Sequence, residues 1–97
     1  MHEITTKIYS EVAERLTESI RNCNFFSGSV YYTDHDTEYQ LVCTIIIRRS
    51  KEFTEQGVIE VIRRIIPVWW EFHSLEGGTE LCNDFDFGHL ASLIEQQ

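Results

Sequence analysis

Residues 50–66 read "SKEFTEQGVIEVIRRII", and the conformation of this run decides how the chain is connected. Val58, Ile59, Val61, Ile62, Ile65 and Ile66 are apolar, whereas Glu60, Arg63 and Arg64 are polar. That spacing fits a short amphipathic helix. The β-branched content favours an extended run instead, because branching at Cβ restricts the side chain against a helical turn. Gly57 and Pro67 bound either version. On both readings residues 54–66 are expected to cross from one hairpin to the next.

Immediately downstream, "PVWWEFH" (67–73) reads as a strand. Successive strand residues point to opposite faces, so Val68, Trp70 and Phe72 share one face and Trp69, Glu71 and His73 the other. The all-apolar set is expected to pack under helices, leaving Trp69 on the side that no helix covers. "VWWEFHSL" and "TELCNDF" then form a hairpin around "EGG", a turn of suitable length and composition. Asp86 is a suitable N-cap for a last helix, "FGHLASLIEQQ".

Upstream, "SVYYT" and "EYQLVCTIIIR" are rich in aromatic and β-branched residues and flank the turn "DHDT". Tyr39, Leu41, Cys43, Ile45 and Ile47 share one face of the second of these strands. Gln40, Val42, Thr44 and Ile46 form a mixed opposite face, which marks a central strand. Ahead of the hairpin, Ile4, Ile8, Val12, Leu16 and Ile20 recur every four residues, the mark of an amphipathic helix of about five turns. The order helix, hairpin, crossover, hairpin, helix predicts an α+β fold in a single domain over 1–97. Its mostly antiparallel four-stranded sheet carries both helices on one face. Ile8, Val12, Leu16, Leu41, Cys43, Ile45, Trp70 and Phe72 are the expected core.

The run "IPVWWEFHSLEGGTELCNDFDFGHL" (66–90), specific at "PVWWEFH" and "NDFDF", resembles the C-terminal part of small proteins from gut bacteria of the Bacteroides type. The resemblance covers the last third of the chain and carries over no activity and no site residue.

Composition narrows the functional classes. The chain has 97 residues, 42% apolar and 25% charged, with a net charge of −8. No basic residue follows Arg64, which argues against a nucleic-acid partner. No apolar run approaches the roughly 18 residues of a membrane span, and the start lacks the apolar stretch of a signal peptide. No membrane partner and a cytoplasmic location are therefore expected. Cys23, Cys43 and Cys82 are odd in number and widely spaced, as suits small buried hydrophobes better than a disulfide or zinc framework.

No catalytic motif is present, no cofactor is implied, and the chain is not expected to be an enzyme. Glu71, His73, Asp84, Asp86 and His89 include metal-ligand types, but their spacing matches no metal motif. Two other sets stand out. Trp69, Val42 and Ile46 fall on the sheet face that two helices cannot cover, a candidate interface. Asp34, Asp36 and Glu38 sit at one hairpin turn and Glu76 and Glu80 at the other, an acidic tip. Arg48, Arg49, Lys51, Arg63 and Arg64 gather at the opposite end. The reading is an acidic protein–protein interaction module, with a second copy forming a homodimer among its partners. The alternatives are a small-ligand or metal-binding domain on the Glu71/His73/Asp84 side and an acidic inhibitor that imitates nucleic acid.

Overall fold

The chain runs α1 (Thr6–Ser19), β1 (Phe25–Asp34), β2 (Thr37–Thr54), β3 (Gly57–Glu76), β4 (Thr79–Leu81) and α2 (Phe87–Ile94) in a computed structural model that describes residues 2–95. The four strands form one antiparallel sheet in the order β1-β2-β3-β4, with both helices on one face. It is the expected α+β architecture, with one change of connection.

That change lies in 50–66. The run neither crosses over nor turns helical. It forms the outer half of a long β2–β3 hairpin, in which Thr54 pairs with Gly57 around a turn at Glu55 and Gln56. Gly57 has φ +123°, a conformation that side chains rarely adopt. The Thr54 hydroxyl donates to the Gly57 carbonyl and accepts from the Gln56 amide. With the chain reversed there, the β-branched residues pair across strands. β1 begins at Phe25, opposite Ile46, so beyond that level the hairpin projects as a two-stranded arm. An Arg63–Glu52 ion pair at 2.7 Å braces it.

A second departure sits in "PVWW". Ile45 pairs with Pro67 and Thr44 with Trp69, so Val68 is an extra residue without a partner. Such a bulge is where a strand tolerates proline, which has no N–H for a ladder. It removes Val68 from the predicted apolar face and leaves it 62% exposed. Trp70 does lie on the helix face, edge-on to Phe85 with ring centroids 5.5 Å apart and stacked near Phe87. It rests at the rim of α2 and stays 38% exposed, so it caps the core and is not part of it.

The other expected core residues are buried. Ile8, Val12 and Leu16 of α1 meet Leu41, Cys43, Ile45, Ile47 and Phe72 of the sheet and Leu90, Ala91 and Ile94 of α2. Burying each large aliphatic side chain contributes about 1.5–3 kcal/mol. Phe72 stacks flat on Phe85, centroids 3.9 Å apart, joining the sheet to the segment before α2.

α1 is shorter than its apolar periodicity, because Thr5 caps its start and Ile20 its end. Arg49 donates to the carbonyls of Ile20 (2.7 Å) and Cys23 (2.9 Å), satisfying acceptors that a helix end leaves orphaned. Asp86 caps α2 as expected, accepting from the Gly88 amide at 3.1 Å. The strand expected over "TELCNDF" reduces to Thr79–Leu81, and Asn83 forms an isolated bridge with His2. No helix among the described residues is long and apolar enough to cross a membrane.

Candidate functional site

The register assigns every strand residue to a face. Tyr39, Leu41, Cys43, Ile45 and Ile47 point to the helices and are buried. Gln40, Val42, Thr44, Ile46 and Arg48 therefore point to the open face. Across the ladder, His73, Glu71, Trp69, Ile66 and Arg64 oppose those five residues in turn. From β1, Phe25 opposes Ile46, Ser27 opposes Thr44 and Ser29 opposes Val42.

The open face thus has an apolar middle. Trp69 is 48% exposed and Phe25 59%, with Ile46 exposed and Val42 and Ile66 half-buried beside them. The three residues predicted as an interface, Trp69, Val42 and Ile46, lie together on this surface. Phe25 and Ile66 join them, and their pairing needed the true path of the arm. The Ser27–Thr44 hydroxyl contact at 2.9 Å runs through the patch, in the row of Trp69 and between Val42 and Ile46.

One end of the face is acidic. Thr37 pairs with Glu76, so the β1–β2 and β3–β4 turns lie side by side and bring Asp34, Asp36, Glu38, Glu76 and Glu80 together. On the open face, Glu38 opposes Leu75 and Leu75 opposes Glu80, forming one row across three strands. Asp34 is partly neutralised by Lys7 at 3.7 Å. Glu80 bonds the His73 ring at Nδ1, and Glu71 bonds it at Nε2 (3.2 Å). The bond to Glu80 raises the His73 pKa; partial burial opposes the rise, and the bond to Glu71 adds to it.

The other end is basic, and its arrangement is unusual. Arg48 and Arg64 are direct cross-strand partners on the open face, both exposed. Like charges placed opposite one another destabilise a sheet pair. Arg49 faces the helices and holds the end of α1, and Arg63 bonds Ser50 and Glu52. Only Arg48, Arg64 and Lys51 of the predicted basic set are left facing outward without a hydrogen bond or ion pair to any described residue.

The candidate ligand set is dispersed. Glu71 and His73 are on the open face, but Asp84 accepts from the Ile4 amide at 2.7 Å, Asp86 caps α2, and His89 stacks against Tyr9. Among the described residues, no three His, Cys, Asp or Glu side chains are arranged to hold a metal ion. Sequence spacing missed Glu80 as the partner of His73, because the β3–β4 register brings them together. Burial pushes the Cys43 thiol up to about 11, away from nucleophilic use.

No family model, curated protein or solved structure matches this chain.

Proposed function

We infer that the chain is a protein-binding module that uses the open face of its sheet. The observation that carries this reading is the half-exposed apolar patch of Phe25, Val42, Ile46, Ile66 and Trp69 between two ends of opposite charge. A patch of this kind, rimmed by polar groups, is typical of association surfaces. Tryptophan at its centre supplies the anchor that such surfaces favour. The charged ends steer encounter and fix orientation. Five of the sixteen acids gather at one tip, which favours docking there over imitation of a phosphate backbone. The chemistry of the face is adhesion.

A photo-crosslinking side chain at position 69, compared with one at exposed Leu93 on α2, tests this in the cells that express the chain. Crosslinks to protein from position 69 and few from position 93 are expected. Equal yields, or none from position 69, would remove the open face as the binding surface.

A further inference from the structure

We propose that the open face takes a second copy of this chain, packed face to face with the strands of the two copies antiparallel. This rests on the open face being the binding surface, and it adds the identity and orientation of the partner.

The opposed arginines are the first ground for this. A protein of net charge −8 holds Arg48 against Arg64 with no ion pair to an acid of its own described for either. At the other end, Glu38 and Glu80 occupy one row. The two rows are separated by about 33 Å along β2, at about 3.3 Å per residue. That is several times the roughly 8 Å screening length at physiological salt. Within one molecule, neither end can neutralise the other.

Two copies can. When open faces meet about a two-fold axis, the axis lies in the plane between them. An axis along the strands stacks like ends together. An axis across the strands sets each basic end over the partner's acidic end, and charge selects this orientation. Position along β2 then fixes the register. Cys43 lies midway between Glu38 and Arg48, and Trp70 is its cross-strand partner. An axis at that level sets Arg48 over Glu38 of the second copy, and Arg64 over the row holding Leu75 and Glu80. Val42 and Trp69 then lie nearest the axis, over Thr44 and Glu71 of the second copy, with Ile46 over Gln40 and Ile66 over His73. Packed sheets are commonly rotated by about 30°. At about 16 Å from the axis that rotation shifts a residue sideways by about 9 Å, nearly two strand spacings, and in the sense that leads towards β4 it carries Arg48 over Glu80. The pairing is isologous, each contact occurring twice, as a closed dimer requires.

Sedimentation equilibrium with charge-swapped chains tests partner and orientation together. Wild type should dimerise at micromolar concentration, and dissociation should strengthen roughly tenfold or more from low to high salt, given up to about 1 kcal/mol per exposed pair. Arg48→Glu with Arg64→Glu should give a folded monomer, and so should Glu38→Lys with Glu80→Lys. Mixing these two variants should restore a dimer, because every contact then joins opposite charges again. A wild type that stays monomeric overturns the proposal. So does a dimer that persists in both swapped chains. In either case, crosslinks from position 69 to a different protein would leave the open-face reading standing. Circular dichroism on each variant confirms that the fold is retained, and the single swaps Arg48→Glu and Glu38→Lys serve as milder versions should a double variant fail to fold.

Discussion

The two faces of this sheet are made by the same strands, often by adjacent residues, yet they meet different surroundings. Leu41 points into the layer beneath α1 and α2 and is fully buried, while Val42 beside it points outward and is half-buried. Ile45 and Ile46 repeat the contrast two pleat repeats later. On the helix face, apolar side chains are matched by apolar side chains, and aromatic rings stack from Tyr39 through Phe72 to Phe85. On the open face apolar residues alternate with polar ones, Val42 and Ile46 on β2 and Trp69 and Ile66 on β3, and they have only neighbours on their own sheet. What separates the two faces is both composition and the presence of cover.

The contrast can be broken most strongly at adjacent positions. Leu41→Ala should lower stability by about 2–5 kcal/mol, because it opens a cavity in a closed layer. Val42→Ala should lower it by about 1 kcal/mol or less when measured in urea at sub-micromolar concentration. Comparable losses at the two sites would mean that the open face is already covered within the monomer.

The arginines sharpen the comparison at the next level. Arg49, on the helix face, satisfies two carbonyls at the end of α1. Arg49→Met should therefore destabilise by about 1–3 kcal/mol, read from urea unfolding. Arg48, its neighbour on the open face, opposes Arg64. Arg48→Gln should stabilise the isolated monomer by a few tenths of a kcal/mol, up to about 1, because it relieves a like-charge pair. It should weaken self-association at the same time. A destabilised Arg48→Gln monomer would show that this arginine is satisfied within its own chain.

The smallest effect is electrostatic. The folded pKa of His73 is raised, first by Glu80. Its contribution is therefore complete below the unfolded value of about 6.5 and disappears as pH rises through the raised folded value. The stability difference between wild type and His73→Gln should shrink from mildly acidic to mildly alkaline pH. A difference that grows with pH would contradict the assignment of the two carboxylates as its partners.

Much of this arrangement was legible in the sequence, and the misses have physical causes. Strict alternation from Tyr39 to Ile47 identified the buried face of β2, because a pleat has period two and one side must be dry. The same rule failed at Val68, where Pro67 accompanies a bulge that adds a residue and resets the alternation. Asp86 announced the start of α2, but no cap was read for α1, whose apolar spacing also overran its end because Ile20 is buried just beyond the last helical turn. The arm at 50–66 stayed ambiguous because periodicity cannot separate a short helix from an extended run, and the decisive residue is Gly57 at positive φ. That Trp69, Val42 and Ile46 share the open face was legible from face assignment alone. The direct opposition of Arg48 and Arg64 and the pairing of His73 with Glu80 were not, since both depend on registers between strands.

Residue-resolved amide NMR spectra recorded on dilution, from millimolar to low micromolar protein, test the central claim most directly. The account predicts concentration-dependent shifts at Val42, Thr44, Ile46, Arg48, Trp69 and Glu71, with Leu16, Leu90 and the rest of the helical layer unmoved. Spectra that do not change with concentration, or shifts confined to α1 and α2, would contradict it.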